Sequence, residues 1–342
     1  MRNKTILLTI AILTISLSLN SYEEKKVDIT GRISMFKAYK SCLYFLNESE
    51  GNIWRFDSNL NFLNKIGKKG EGPGEISFLS NFNFLENKIY TFSKNRLLFF
   101  TLNGELISEN KFPPRNASIL LLKNGNKVEK LQEFSYEKGK VILYKVRFVD
   151  ESFNQINEVL EEHIKIPPSY EFEAIHPYIG IKYYEKAGFV YISNPTRDFL
   201  IMIFDEYGKL MHKIQKTQKK NKISKEYKKE FSMTLIQDPR IPSKEMADAI
   251  LKQIHFPKYF PAFHSFYLDE GGNVYVRTFK RKKQKTLFEK YSPKGDFLKE
   301  YLLEDKNINI VDAHLFISFS EGNYYYLYEN EKGEYILYRE KL

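Results

Sequence analysis

Apolar and polar positions alternate with a period of two along most of the chain, in short runs broken by glycine and asparagine. Asn87-Lys88-Ile89-Tyr90, Gly188-Phe189-Val190-Tyr191 and Asn273-Val274-Tyr275-Val276 each open such a run, and each leads through a second run to a turn at Asn103-Gly104, Tyr207-Gly208 or Lys294-Gly295. A third run with apolar residues at alternate positions follows. Alternation rich in aromatic and β-branched residues is a strand pattern. Because so short a unit cannot bury both faces of its own sheet, the repeats must stack on one another. The unit recurs about six times, and the fold expected is all-β: a six-bladed β-propeller of four-stranded antiparallel blades.

The pattern predicts strands near 34–40, 41–48, 51–58 and 62–67 for blade one, and near 79–85, 87–93, 96–102 and 105–112 for blade two. Blade three runs irregularly from Asn116 to Glu161. Blade four takes 178–185, 188–194, 197–205 and 209–215, and blade five takes 263–269, 273–279, 285–292 and 296–302. The last blade has three strands, near 312–319, 322–329 and 334–340, so Val27–Ile33 is expected to supply its outer strand and close the ring, which removes exposed edges. Between blades four and five, residues 216–262 read as a helical insertion. Ile223, Tyr227, Phe231 and Leu235 form one apolar stripe, and Met246, Ile250, Leu251 and Ile254 form a second after a Pro242-Ser243 start.

Short and long connections segregate. One face is expected to carry only tight turns, at Glu86-Asn87, Asn103-Gly104, Lys186–Gly188, Tyr207-Gly208, Gly271-Gly272, Lys294-Gly295 and Glu321-Gly322, where glycine and asparagine provide positive φ. The opposite, crossing face carries Lys68–Glu75, Glu162–Pro177, Lys216–Ala262 and Glu304–Val311. Variable loops on a rigid scaffold are the usual seat of function, so the crossing face is the candidate surface.

The segment Gly70-Glu71-Gly72-Pro73-Gly74-Glu75-Ile76 resembles the G-x-G-P-G-E-F stretch that leads into a new blade in NHL-like six-bladed propellers of secreted bacterial proteins, with Ile76 in place of the usual Phe. Tyr267-Leu268-Asp269 followed by Gly272-Asn273-Val274-Tyr275-Val276-Arg277 is similar to the same family's strand, Asp-x-x-Gly turn and aromatic-Val-Arg strand. The resemblance implies fold and export and little chemistry.

Arg2 and Lys4 precede an apolar run from Ile6 to Leu17, the layout of a secretory signal, too short for a comfortable membrane span. Residues 1–21 are therefore expected to be a signal peptide or an uncleaved anchor. Residues 22–342 are expected to form a single propeller domain containing the insertion, exported to the periplasm, envelope or exterior. The aromatic content of 15%, with 28 Phe and 24 Tyr, suits face-to-face sheets. Cys42 is the only cysteine and has no partner for an internal disulfide.

The net charge is +10; removing Arg2 and Lys4 leaves 51 basic residues against 43 acidic, a modest +8. Its placement matters more than its size. Lys68 and Lys69, together with the hairpin of Lys280, Arg281, Lys282, Lys283 and Lys285, are expected on the crossing face, where they form a candidate anion-binding surface. Pro73 and the strand after it argue against a phosphate loop, the histidines show no paired metal-ligand spacing, and no Gly-x-Ser-x-Gly elbow occurs. No catalytic residue is assigned. Polar candidates for a site at the axis are Asn83, Tyr183, His264, Asp269 and His314. The favoured function is a secreted or periplasmic binding or scaffold propeller without cofactor, expected to be a monomer whose partner is a protein or an anionic glycan and not a specific nucleic acid. The alternative is a lactonase- or lyase-like enzyme with a divalent metal such as calcium in the channel. A cluster of carboxylates, Asn or His at the axis favours the enzyme, and an apolar or lysine-lined channel favours the binder.

Overall fold

A computed structural model describes residues 22–77, 81–112, 117–135, 141–165, 172–173, 181–195, 198–217, 219–236, 241, 243–305 and 316–342. Six four-stranded antiparallel sheets follow one another along the chain. Blade one comprises β2 (Ile33–Tyr39), β3 (Cys42–Asn47), β4 (Asn52–Asp57) and β5 (Phe62–Ile66), and blade two comprises β6 (Asn83–Leu85), β7 (Lys88–Ser93), β8 (Arg96–Thr101) and β9 (Leu106–Lys111). Blade three has a short inner strand, β10 (Ala117–Leu121), and three long ones, β11 (Lys127–Ser135), β12 (Val141–Val149) and β13 (Gln155–Lys165). Blade four comprises β15 (Lys182–Lys186), β16 (Phe189–Ser193), β17 (Leu200–Phe204) and β18 (Leu210–Gln215). Blade five comprises β20 (Ser265–Leu268), β21 (Val274–Lys282), β22 (Lys285–Tyr291) and β23 (Phe297–Glu304).

Blade six joins β24 (Ile317–Ser320), β25 (Asn323–Glu329) and β26 (Tyr335–Lys341) to β1 (Tyr22–Lys26), which pairs antiparallel with β26 from Tyr22↔Glu340 to Lys26↔Ile336. The N-terminal strand thus closes the ring, but it is Tyr22–Lys26 and not Val27–Ile33. The reason is chemical. An outer strand faces water, so its sequence is mostly charged, and it is held by Tyr22 stacked on Tyr338 at 5.5 Å and by ion pairs of Arg339 with Glu23 (2.5 Å) and Lys26 with Glu334 (2.8 Å). Val27 and Ile29 look like a strand because they alternate, yet they pack between blades six and one as the chain crosses to the inner strand, which begins at Ile33.

The core is divided among the interfaces. Met35, Tyr44, Ile53, Ile76, Phe82 and Leu98 pack blade one on blade two, and Tyr90, Leu97 and Leu121 pack two on three. Val128, Phe148, Ile181 and Val190 join three to four, Ile201, Phe263 and Val276 join four to five, and Tyr267, Phe288, Phe319 and Tyr324 join five to six. Phe36, Phe45, Tyr325 and Leu337 complete the circle.

The tight turns follow a common recipe. At Asp57, Asp205 and Asp269 the side-chain carboxylate accepts backbone N–H groups two and four residues on, at 2.8–3.0 Å. The fourth residue of each turn has positive φ; it is Gly208 or Gly272 in two of them, whereas Leu60 takes φ 65° in the first.

The insertion forms α1 (Lys225–Ile236) and α2 (Lys244–Gln253), the latter capped by Ser243, whose hydroxyl accepts from Met246 N at 3.2 Å. Ile223, Tyr227 and Phe231 pack with Phe256 and Phe260 at the end of the insertion and with Phe279 of β21. In α2 Ala247 is buried and Ile250, Leu251 and Ile254 are half-buried, so of the expected stripe only Met246, 50% exposed, turns outward. A two-residue parallel pairing of β14 (Phe172–Glu173) with β19 (Ile254–His255) ties the long connection after blade three to the insertion.

Removing residues 22–26 leaves β26 as an open edge. Each cross-strand pair contributes on the order of 0.2–1 kcal/mol, so loss of the strand costs roughly 3 kcal/mol. The truncated chain is expected to melt several degrees lower in calorimetry and to self-associate in size-exclusion chromatography. A monomeric truncation with unchanged Tm contradicts the closure.

Candidate functional site

Six sheets around an axis leave a cavity where their inner strands face one another, and here its volume is about 1100 Å³. At its tight-turn end it is ringed by Lys40, Glu86, Lys123, Ala187 and Glu270, one residue from each of five blades. Neighbouring blades are laced together there. Lys123 pairs with Glu86 at 3.1 Å, Ser41 donates to Glu321 at 2.6 Å, and the carboxylate of Glu270 accepts from the backbone of Glu321 at 3.0 Å.

Inside this rim the walls are aromatic and basic. Lys37 lies on the same side of β2 as Met35 and Tyr39, so an apolar strand delivers one ammonium group toward blade two; its Nζ donates to Phe82 O at 2.5 Å and Asn83 Oδ1 at 2.6 Å. Lys182 and Lys186 come from β15, and Lys130 comes from β11, the second strand of blade three. Lys186 sits over the Tyr39 ring at 5.0 Å, and Lys130 approaches Tyr144 at 5.7 Å.

Burial pushes the Lys37 amine down to about 7, and the neighbouring charge of Lys186 adds to the effect. Lys182 falls to about 8 through burial and the proximity of Lys130, and burial lowers Lys130 as well. For Lys186 burial again dominates, with Glu270 and Glu185 acting in the opposite direction. The charges acting on Lys37 and Lys182 are therefore other lysines, not carboxylates. Among the described residues no group of three or more His, Cys, Asp or Glu side chains could hold a metal ion.

Of the residues singled out from the sequence, the structure brings Asn83 and Tyr183 to this cavity. Burial raises the Tyr183 phenol to about 12, and a hydrogen bond from Ser118 opposes that shift. Asp269 is a turn residue: it accepts from Asn273 N at 2.9 Å, Asn273 Nδ2 at 2.8 Å and the Tyr275 hydroxyl at 3.2 Å. His264 is buried against the guanidinium of Arg277, which is clamped by Asp305 at 2.8 and 2.5 Å, with Thr286 donating to the same Asp305 oxygen at 2.8 Å. That arrangement staples β21 to the end of β23, and neither His264 nor Asp269 is among the lining residues of the cavity. His314 lies outside the described residues.

The basic residues expected on the crossing face lie in the connection from blade one to blade two and in the hairpin between β21 and β22. Lys68 is held by Glu75 at 3.1 Å, and Glu75 in turn accepts from Gly72 N at 3.0 Å. Arg96 grips the same loop through Gly72 O (2.8 Å) and Glu75 O (2.7 Å), so Gly70–Ile76 is a clasp between blades one and two. Lys69 makes a parallel bridge to Ile76. Arg281 donates to Asp305 O at 2.7 Å, while Lys280, Lys282, Lys283 and Lys285 belong to the hairpin where β21 turns into β22, Lys283 taking φ 56°.

Lys37, Lys130, Lys182 and Lys186 were not apparent as a site in the sequence. The signal available was a lysine inside an otherwise apolar inner strand, Met35-Phe36-Lys37-Ala38-Tyr39, since such a charge survives only where the strand faces a cavity.

These features define a six-bladed β-propeller with a basic cavity on its axis. The chain belongs to the family DUF5128, 6-bladed beta-propeller, which matches residues 23–292. It is similar in fold to a protein of Bacteroides fragilis described as exported, with 16% identity over 95% of this chain and 96% of that one and a TM-score of 0.55. A member of the DUF4221 family from Bacteroides vulgatus aligns at 12% identity over 94% and 96% of the two chains, with a TM-score of 0.51. No curated protein matches this chain. No described helix is long and apolar enough to cross a membrane.

A lysine amine that is depressed in the folded state is neutral there while the unfolded chain still holds its proton. Unfolding then takes up a proton, so stability rises with pH from about 7, the folded value of Lys37, towards 10.5. Tm is expected to climb between neutral pH and pH 9, and Lys37→Met should flatten that climb. A profile identical in the variant contradicts the placement of Lys37.

Proposed function

We propose that this chain is an exported binding propeller whose rigid ring holds a basic axial cavity for an anionic partner, either a glycan or an acidic protein segment. The observation that carries the reading is the convergence of Lys37, Lys130, Lys182 and Lys186 on one cavity, three of them without a carboxylate counterpart among the described residues. Cations clustered in a partly enclosed space of low dielectric attract an anion more strongly than the same charges spread on a surface. The volume of about 1100 Å³ lies just above the roughly 300–1000 Å³ of ordinary ligand pockets. Export is supported by the Arg2, Lys4 and Ile6–Leu17 pattern and by likeness to a protein described as exported. The NHL-like character of Gly70–Ile76 and the single-domain organisation of residues 22–342 fit the same reading.

The hairpin of Lys280, Lys282, Lys283 and Lys285 supports a second anion-binding surface on the crossing face. The two are separable. In affinity electrophoresis against heparin and oligo-glutamate, binding should fall steeply with salt, because exposed charges are screened over roughly 8 Å at physiological ionic strength. Lys37→Met with Lys182→Met should abolish retardation if the cavity is the site, and Lys282→Glu with Lys283→Glu should abolish it if the hairpin is. No retardation at low salt removes both surfaces.

A further inference from the structure

Cys42, Tyr44 and Arg55 share one side of blade one, at the tight-turn end where it packs on blade two. Cys42, Tyr44 and Leu46 alternate along β3 on the side that joins the blade one–two cluster, and Arg55 stands opposite Tyr44 in the register of β3 with β4. The Arg55 guanidinium reaches across to blade two, where Nη1 donates to Leu102 O at 3.0 Å and to Asn103 Oδ1 at 2.8 Å, and it turns Nη2 to Cys42 Sγ at 3.4 Å. Cys42 is only half-buried, within reach of a small solute.

Two donors beside this sulfur have no acceptor. Neither the Tyr44 hydroxyl nor Arg55 Nε has a hydrogen-bond partner among the described residues, although both atoms are buried and Tyr44 as a whole is fully buried. Burial pushes the Tyr44 phenol above its ordinary value, with Arg55 acting the other way, so the hydroxyl keeps its proton and remains a donor. Asp57, which pairs opposite Cys42, is not the missing acceptor: its carboxylate accepts from Asn59 N, Asn61 N and Asn61 Nδ2, each at 2.8 Å. A buried donor without an acceptor is unfavourable, and here two of them flank a sulfur atom that can gain an oxygen.

We propose that Cys42 is a modification site: a hydroperoxide oxidises its thiol to a sulfenic acid, whose oxygen is then held by the Tyr44 hydroxyl and the Arg55 guanidinium. The sulfur attacks the terminal oxygen of the peroxide, and an S–O bond forms as the O–O bond breaks. Sulfur gives up two electrons, and the departing hydroxide or alkoxide takes up the thiol proton and leaves as water or alcohol. Cys42 is the only cysteine, so no second thiol of this chain condenses with the product. The site is separate from the axial cavity, which Cys42 does not line.

The test is hydrogen peroxide treatment of the purified full chain, read by dimedone trapping with mass spectrometry and by calorimetric melting. One dimedone adduct at Cys42 is expected, with a Tm that rises on oxidation and returns on reduction, because the new oxygen satisfies two buried donors. Tyr44→Phe removes only the hydroxyl. Before oxidation this variant should melt no lower than the parent; after it, most of the rise should be lost and overoxidised sulfur should accumulate about fivefold more. Cys42→Ser should show no peroxide-dependent shift, which separates the effect from methionine oxidation. Absence of the adduct on the folded chain overturns the modification. A Tm that falls on oxidation, or that rises equally in Tyr44→Phe or in Cys42→Ser, overturns the two-donor seat. So does a Tyr44→Phe chain that melts several degrees lower before any oxidation, since the hydroxyl then already has a partner.

Discussion

Every blade in this molecule is a sheet with two apolar faces, and that single constraint organises the rest. Neither face can be left to water, so each sheet requires a neighbour on both sides, and only a closed circle gives every sheet two. The six interfacial clusters, from Tyr44 and Phe82 between blades one and two to Phe36 and Tyr325 between six and one, are the result. The last of them depends on residues from opposite ends of the chain. Ring closure by Tyr22–Lys26 ties the start of the chain to β26 beside that interface, even though the strand itself is mostly polar and contributes none of the clustered residues.

The same geometry creates the axial cavity. Sheets that pack tightly along their middles must leave a space at the centre of the circle, and side chains of the inner strands straddle packed interface and open cavity. Lys37 shows how both demands are met by one residue. Its stem runs along the apolar side of β2 that carries Met35 and Tyr39, and its ammonium group reaches Phe82 O and Asn83 across the interface. The laced rim, where Lys123 meets Glu86 and Ser41 meets Glu321, holds neighbouring blades in register around that opening.

Most of the strands were legible because inward-facing residues alternate with outward ones, and the glycine and asparagine turns marked where each strand stopped. What escaped had physical reasons. Tyr22-Glu23-Glu24-Lys25-Lys26 carries one apolar residue, so hydrophobic alternation passes over an edge strand held by ion pairs. Val27 and Ile29 alternate without being a strand, because a buried crossing segment obeys the same polarity rule. At the site, the run of charge at Lys280–Lys285 is conspicuous in the sequence, whereas Lys37, Lys130 and Lys182 are isolated along the chain and meet only through the sixfold arrangement. Asn83 and Tyr183 reach the cavity because they lie on inner strands, whereas Asp269 and His264 stand at the ends of an inner strand, where side chains belong to its turn and to its neighbour.

The pairing of the first strand with the last also fixes the order of events in time. Until β26 has been synthesised, Tyr22–Lys26 has nothing to pair with, and the face of blade one that carries Phe36 and Phe45 has no sheet to cover it. A growing chain can stack blades one after another, yet none of those partial arrays is sealed.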